Sequence, residues 1–204
     1  MEPDAMTLPG RHAARWALPL LALLGAAAFG PPPEAERAVP GQRSGFIADG
    51  AGGCWLWVGG LPASAEALTG SWTGSCPEGA AEGEGTAVTT WREAGRERQM
   101  VYEGTLRRGK AEGPGRLSHY DAGRLVVQEE GQYHEDYFTG GRFSIPNAGL
   151  VYEGAWFRDG PHGQGKLSVD GKVFEGKWEF GCFDAGHAWI AFTRSPQSCE
   201  DKAT

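Results

Sequence analysis

Several large classes of protein are excluded by what this 204-residue sequence lacks. Its longest apolar stretch, residues 16–29, contains Pro19 and is shorter than the roughly 20 apolar residues that a membrane-spanning helix needs. Acidic side chains outnumber basic ones, 26 to 19, and the formal charge of −7 opposes the phosphate backbone of nucleic acids. The length suits one domain or one repeat array. We therefore expect neither a large two-domain enzyme nor a nucleic-acid-binding protein.

Cysteine and histidine are sparse, and neither is spaced in the pattern of a metal site, because no C-x-x-C or H-E-x-x-H motif is present. The histidines are His12, His119, His134, His162 and His187. The cysteines are Cys54, Cys76, Cys182 and Cys199. An even number of cysteines in an exported chain favours two disulfides, with a zinc site as the weaker alternative. We predict no metal and no other cofactor.

The usual catalytic motifs are also missing. Ser75 lacks the paired glycines of a nucleophile elbow, and no glycine-rich segment is followed by the GKS or GKT of a phosphate-binding loop. Residues 119–121 and 133–136 each place a histidine near a carboxylate, an arrangement that acid–base catalysis can use. Both segments fall on expected turns or solvent-facing strand positions, so we interpret them as solvated polar surface and His162 as a turn residue. We expect no enzymatic activity.

The N-terminal region is typical of a secretory signal peptide. Arg11 and Arg15 precede an apolar run over residues 16–24, and three alanines at 26–28 offer a cleavage site before Phe29. A retained membrane anchor is the alternative. We predict a signal peptide over residues 1–28, a Pro/Gly-rich linker over residues 29–52, and a fold that begins near Gly53. The protein is then exported to the periplasm or the cell exterior.

From Trp72 onward the chain repeats one phrase, in which an aromatic residue and an apolar residue flank a glycine at alternate positions. Copies begin at Trp72, Tyr102, Tyr152 and Phe174, and a weaker copy begins at Glu129. After four of the central glycines, another glycine follows nine residues later. The repeat glycines are Gly74, Gly83, Gly104, Gly113, Gly131, Gly140, Gly154, Gly163 and Gly176.

The spacing of the copies predicts one β-hairpin for each repeat. The later central glycines lie 23 and 22 residues apart, which accommodates two strands of about five or six residues with their turns and leaves no room for a helix. The earlier spacings of 30 and 27 residues predict longer connections. Within a strand, the aromatic, glycine and apolar residues share one face. We expect each glycine to leave a hollow that an aromatic ring fills.

The segments VYEGTLRRGKAEGPGRLS and VYEGAWFRDGPHGQGKLS resemble MORN repeats. The resemblance extends over residues 72–181. It departs furthest in the weaker copy, which has Glu129 instead of tyrosine and Arg142 instead of a second glycine. The resemblance implies an all-β fold, in which a meander of antiparallel hairpins forms an elongated, twisted, open, single-layer sheet. It also implies a scaffold that binds proteins, with any enzymatic activity residing in an added domain.

The two ends of the array are similar to the cysteine-bearing end segments of exported MORN proteins. We expect residues 53–71 to form an N-terminal cap, residues 182–199 a C-terminal capping strand, and residues 200–204 a tail. An open sheet has two vulnerable edges, and each local pair of cysteines lies at one end of the array. We therefore predict the disulfides Cys54–Cys76 and Cys182–Cys199.

The aromatic face of the array is the candidate binding surface. Its rings are Trp72, Tyr102, Tyr133, Tyr152, Trp156, Phe174 and Trp178. Packing among the rings and contact with a ligand remain alternatives for this face. The opposite face is predicted to carry an acidic stripe, which we interpret as solvated. The stripe consists of Glu103, Glu130, Glu153 and Glu175.

The function predicted from these features is a non-catalytic, secreted or periplasmic module that binds or scaffolds proteins. Two alternatives come from other classes: a binder of lipid surfaces at the cell envelope, and an accessory or hydrolytic enzyme of the envelope. A membrane surface is the weaker partner, because arginine and glutamate are mixed along the repeats and no basic patch is evident.

Overall fold

The structure is a computed structural model that describes residues 41–50 and 53–200. The expected signal peptide, residues 1–28, lies outside this part of the chain, as do most of the expected linker and residues 201–204. Within the described residues, no helix is long and apolar enough to cross a membrane.

Most of the described chain is β-strand, in the order expected for consecutive hairpins. The N-terminal strands are β1 (Gln42–Ala48) and β2 (Trp55–Pro62). The strands that follow are β3 (Glu66–Trp72), β4 (Gly83–Glu93), β5 (Arg96–Arg107), β6 (Lys110–Asp121), β7 (Arg124–His134), β8 (Tyr137–Ile145), β9 (Leu150–Phe157), β10 (Gly160–Val169) and β11 (Lys172–Trp178). A short 3-10 helix, Pro146–Ala148, joins β8 to β9.

Strands β3 to β11 form one nine-stranded antiparallel sheet in which each strand pairs with its neighbours in sequence. We call this the main sheet. It is an open meander, so the predicted all-β fold of antiparallel hairpins is confirmed. Each of the first four repeats contributes one hairpin and the last contributes only β11, and each aromatic phrase begins on an odd-numbered strand. The second glycines of the repeat lie on the even-numbered strand that follows.

Short segments with left-handed backbone form the turns between the strands. In the β5–β6 turn, Arg108 and Gly109 have φ of 50° and 80°, as a two-residue type I′ hairpin turn requires. In the β7–β8 turn, Glu135 and Asp136 take the same conformation with φ of 49° and 72°, and aspartate is among the few non-glycine residues that tolerate it.

The strands of the first repeats are longer than the sequence predicts. β4 to β7 each contain 11 or 12 residues, whereas five or six were expected. Longer connections were expected between the early repeats, but the extra residues do not form loops. They continue the β4–β5 and β6–β7 hairpins to tight turns at Ala94-Gly95 and Ala122-Gly123. The main sheet is therefore wider at its N-terminal end.

The fold begins earlier than predicted, because part of the expected linker is strand β1. This strand pairs with β2, and the ring of Phe46 packs edge-on against Trp57 at 5.1 Å between centroids. Ile47 lies over Gly70 of β3, where a Cβ atom would come within 2.7 Å of the Ile47 side chain. Phe46 and Ile47 are partly buried in β1, whereas a solvated linker would leave them exposed.

The C-terminal cap is more elaborate than the single strand predicted. It consists of a small hairpin, β12 (Cys182–Asp184) with β13 (Trp189–Ala191), followed by a short helix, α1 (Pro196–Glu200). Phe183 packs against Trp178 at 5.2 Å between ring centroids, and Phe192 reaches back over Tyr152 at 6.2 Å. The main sheet has a single layer, but terminal segments cover parts of its aromatic face.

Both predicted disulfides are confirmed. Cys54 is bonded to Cys76 with an S–S distance of 2.04 Å, and Cys182 is bonded to Cys199 at 2.05 Å. No described cysteine is free. The two bonds are consistent with an oxidising, exported environment.

Candidate binding surfaces

A row of glycines crosses the main sheet, because each glycine is the register partner of the next. The row consists of Gly85, Gly104, Gly115, Gly131, Gly141, Gly154, Gly165 and Gly176. Arg142, which replaces the second glycine in this repeat, does not interrupt the row. The two glycines of β8 are adjacent, whereas one residue separates them in β6 and β10, so Gly141 takes the place in the row.

Tyrosine rings fill the space that these glycines leave. A Cβ atom on Gly115 would lie 2.5 Å from Tyr102 Oη, and one on Gly165 would overlap the hydroxyl of Tyr152. Each tyrosine Oη donates a hydrogen bond to the carbonyl oxygen three residues ahead in the chain, at 3.1 Å for Tyr102 and 2.9 Å for Tyr152. Burial raises the pKa of both tyrosines to about 12. The predicted hollows are therefore present and occupied by the protein's own rings.

The aromatic face proposed from the sequence as a binding surface is largely buried. Tyr152 and Trp178 have no exposed surface, while Trp72, Tyr102, Tyr133 and Trp156 are 4–8% exposed and Phe174 is partly exposed. The rings pack against one another and beneath the caps; Phe143, for example, stacks on Trp156 at 4.9 Å between centroids. Little ring surface is left for a partner, and the geometry favours packing as the role of these residues.

The weaker repeat places polar groups within this aromatic layer. Glu129 occupies the position that an aromatic residue holds in the other repeats, and its Oε2 accepts a hydrogen bond from Tyr133 Oη at 3.1 Å. Burial raises the pKa of Glu129. Asp136, in the turn that follows, accepts a hydrogen bond from the Ala111 N–H at 3.4 Å, and burial raises its pKa to about 7. Both carboxyl groups are partly buried and each accepts a hydrogen bond from the protein.

The two histidine–carboxylate segments noted in the sequence have different environments in the structure. His134 Nδ1 lies 3.1 Å from Glu112 Oε1 with 72% of its side chain exposed, as expected for solvated surface. His119 does not face solvent: it lies on the aromatic face of β6, opposite Met100 and Val127, and burial lowers its pKa to about 4. The solvent-facing prediction for His119 is wrong because β6 continues where a turn was expected.

The solvent face of the main sheet carries a charge ladder, in which acidic and basic residues alternate from strand to strand. Its members, from β5 to β11, are Glu103, Arg116, Glu130, Arg142, Glu153, Lys166 and Glu175. Arg142 Nη1 lies 2.9 Å from Glu153 Oε1, and Arg116 Nη1 lies 3.4 Å from Glu103 Oε2. The predicted acidic stripe is therefore interleaved with basic residues, and no broad field of one sign results.

An exposed aromatic cluster, which the sequence did not reveal, lies at the margin of the solvent face. This margin cluster consists of Phe157, His162 and Phe180, with Phe157 46% exposed and Phe180 37% exposed. The ring centroids of His162 and Phe180 are 4.4 Å apart, and those of Phe157 and Phe180 are 6.0 Å apart. The Phe180 N–H donates to His162 Nδ1 at 3.4 Å, and the Arg158 guanidinium lies 5.3 Å from the Phe157 ring. His162 is thus more than a turn residue.

The signal for this cluster was present in the sequence but weak. Phe157 follows Trp156 directly, so two large rings in succession must point to opposite faces of the strand. Phe180 lies two residues after β11, and the pairing of Gly163 with Trp178 brings this segment next to His162. Chain proximity alone therefore could not identify the cluster.

The residues described by the structure contain no group of three or more histidine, cysteine, aspartate or glutamate side chains placed to hold a metal ion. No protein-family model and no curated protein sequence matches this chain. The fold and its surfaces define an open, antiparallel all-β repeat protein with a packed aromatic face and a charged face.

Proposed function

We propose that this chain is an exported, non-catalytic repeat protein of the MORN type that binds or scaffolds a protein partner in the periplasm or outside the cell. One hairpin for each of the first four repeats, the glycine row and the rings that cover it support the assignment to this type. The two disulfides support an oxidising location. The signal-peptide pattern in the sequence supports export.

The margin cluster is the observation that carries the proposal. Phe157 and Phe180 are two of the four large hydrophobic residues that are well exposed in the described part of the chain, and they lie together. Exposed aromatic side chains beside an arginine are frequent anchors of protein interfaces. Arg158 gives the cluster one cationic group, so its preferred partner surface presents an apolar side chain next to a carboxylate.

The charge ladder next to this cluster suits a protein partner better than a lipid or a small molecule. The ladder has four acidic and three basic members, and such a mixture gives no attraction to an anionic bilayer. An extended sheet face offers a broad area, whereas small-molecule sites are concave and mostly apolar. The lipid-surface and hydrolase alternatives therefore receive less support.

Site-specific cross-linking tests the proposal. A photoreactive phenylalanine analogue at Phe157 is expected to capture one protein from envelope extract, and purified wild-type chain is expected to compete for it. The double variant Phe157→Ala/Phe180→Ala should compete at least about tenfold less well, because interface anchors contribute 2 kcal/mol or more. The matched control carries the same analogue at Glu97, an exposed residue on β5 at the other end of the sheet. Equal capture at both positions, or equal competition by the variant, contradicts the proposal.

A further inference from the structure

The two edges of the main sheet differ in what covers them. At the β3 edge, the Gly50 N–H donates to the Gly70 carbonyl oxygen at 3.1 Å, so the N-terminal segment is bonded to the edge. At the other edge, no strand within residues 41–50 and 53–200 pairs with the outer side of β11. The C-terminal cap lies over the face of β11, where Phe183 covers Gly176. An uncovered edge strand is a template for another strand.

We propose that the outer edge of β11 pairs with β11 of a second copy of this chain, antiparallel and about a two-fold axis through Gly176. When two identical strands pair antiparallel about one residue, the residue before it in one copy faces the residue after it in the other copy. In this register Glu175 of one copy faces Lys177 of the other, and the pair occurs twice. Opposite charges at facing positions stabilise a strand pair, whereas like charges destabilise it.

The charges of β11 distinguish this register from the adjacent ones. A two-fold axis through Glu175 brings two glutamates together, and an axis through Lys177 brings two lysines together. Both alternatives place like charges at the centre of the pair. The axis through Gly176 also places Phe174 opposite Trp178 of the second copy, so the aromatic residues of both copies fall on the same face of the joined sheet.

The same register continues two patterns that already cross the main sheet. Gly176 is the last member of the glycine row, and its pairing with the same residue of the second copy extends the row without interruption. Glu175 is the last member of the charge ladder, and a facing lysine preserves the alternation of sign. Because both copies use the same strand, the interface is closed and leads to a dimer instead of a filament.

One existing contact must be exchanged for the dimer to form. Lys177 Nζ lies 2.9 Å from Glu179 Oε1 of its own chain, with the two side chains 69% and 55% exposed. Exposed ion pairs contribute little to stability, so exchanging this contact for Glu175 of the second copy costs little. The proposal does not depend on the margin cluster or on any other protein.

Sedimentation equilibrium over a concentration series of the purified chain tests the proposal. The wild type is expected to show a monomer–dimer equilibrium. Glu175→Lys and Lys177→Glu should each weaken the dimer by at least about tenfold, because each substitution creates two pairs of facing like charges. The double variant Glu175→Lys/Lys177→Glu should restore the affinity to within a few fold. The matched control, Glu153→Lys, makes the same change on the interior strand β9 and should leave association unchanged.

Contrary outcomes are equally specific. A wild type that stays monomeric at every concentration, as it would if residues 1–40 of the same chain covered β11, overturns the proposal. A dimer that persists in both single variants places the interface elsewhere. A double variant that stays monomeric while its thermal unfolding matches the wild type overturns the register.

Cross-linking in the unmodified sequence gives an independent measurement of the register. Light and heavy isotope-labelled chains are mixed and treated with a carbodiimide, which joins a carboxylate to a neighbouring amine without a spacer. A peptide pair linking Glu175 of one label to Lys177 of the other is expected. If Glu175 and Lys177 are linked only when both carry the same label, the two residues react inside a single chain. That result contradicts the dimer.

Discussion

The two halves of the main sheet are built from the same hairpin, but their cores differ. In the C-terminal half, β9 to β11 carry repeats that keep the aromatic phrase, and Tyr152 and Trp178 are completely buried beneath the cap. In the N-terminal half, β6 and β7 place His119 and Glu129 on the same face. The aromatic layer is continuous in one half and interrupted by ionisable groups in the other.

The difference has two sources: Glu129 replaces the aromatic residue of the phrase, and His119 lies where the phrase has ended. The long strands β4 to β7 extend beyond the residues that the phrase specifies, and in the extension no glycine or aromatic position recurs. Trp91 Nε1 and Asp121 Oδ1 are buried there without a hydrogen-bond partner among the described residues. Burial of an unpaired polar atom costs free energy. The comparison shows that fidelity to the repeat, more than strand length, determines how well each part of the sheet is packed.

The largest expected effect tests the aromatic half. Tyr152→Ala should lower the free energy of unfolding by about 3–5 kcal/mol, because it empties a fully buried position that contacts Trp156, Trp178 and Phe192. Urea unfolding monitored by tryptophan fluorescence measures the change. Glu153→Ala, the next residue but on the solvent face, is the control and should change stability by a few tenths of a kcal/mol. If the two substitutions have similar effects, the assignment of the packed face is wrong.

The second prediction compares the two caps. Opening either disulfide should cost about 3 kcal/mol, because the bonds close segments of 22 and 17 residues in sequence. Cys182 and Cys199 are 1% and 0% exposed, so a double serine variant of this pair also places two hydroxyls in an apolar site. We therefore expect Cys182→Ser/Cys199→Ser to lower the melting temperature more than Cys54→Ser/Cys76→Ser does. The reverse order would show that the N-terminal cap carries more of the stability.

The third prediction separates the two uses of glycine. Gly165→Ala should destabilise the fold by about 1–3 kcal/mol, because its new methyl group collides with the Tyr152 hydroxyl. Gly171 has open space around it but a φ of 72°, so Gly171→Ala should cost only about 1 kcal/mol through backbone strain. Chemical denaturation of both variants gives the comparison. A larger cost at Gly171 would mean that the ring of Tyr152 moves aside easily.

The fourth prediction concerns pH and the polar half. Burial raises the pKa of Asp136 from 3.8 to about 7, so the folded protein retains a proton that the unfolded chain loses. The contribution of this group to stability is therefore present at low pH and is lost as the pH rises from about 4 to about 7. Asp136→Asn removes this term. We expect the variant to gain in stability relative to the wild type between pH 5 and pH 8, as measured by urea midpoints at each pH.

His119 acts with the opposite sign and must be separated from Asp136. Burial lowers the pKa of His119 to about 4, so the unfolded chain binds the extra proton and acid destabilises the fold as the pH falls below about 6.5. The difference between the wild type and Asp136→Asn cancels this contribution. A difference that is flat between pH 5 and pH 8 would show that Asp136 titrates normally in the folded protein.

The repeat made most of the fold predictable from the sequence. Period, alternation and glycine positions are local signals, and they predicted the hairpins, the two faces and the packing of Tyr102 over its glycine. The disulfides followed once Cys54 and Cys182 were placed at the ends of an open array. Strand length was not predictable in the same way, because the residues between the early repeats follow no repeat pattern.

The features that the sequence could not predict depend on distant segments. Phe180 meets His162 through the pairing of β10 with β11, and Phe192 covers Tyr152 only because the C-terminal hairpin folds over the sheet. The burial of the aromatic face therefore depends on the caps, which have no repeat of their own. The surface that the sequence favoured for binding lies mostly beneath them, and the exposed aromatic cluster lies elsewhere.

The strictly sequential pairing of β3 to β11 has a consequence for how the protein forms and changes length. Each strand of the main sheet is completed by the strand that follows it, so a growing chain can add hairpins one at a time without waiting for remote partners. Stability is then close to a sum over neighbouring hairpins. A duplicated or deleted hairpin in the middle leaves both disulfide-bonded ends intact, so such a protein can lengthen or shorten by whole repeats while retaining the same two caps.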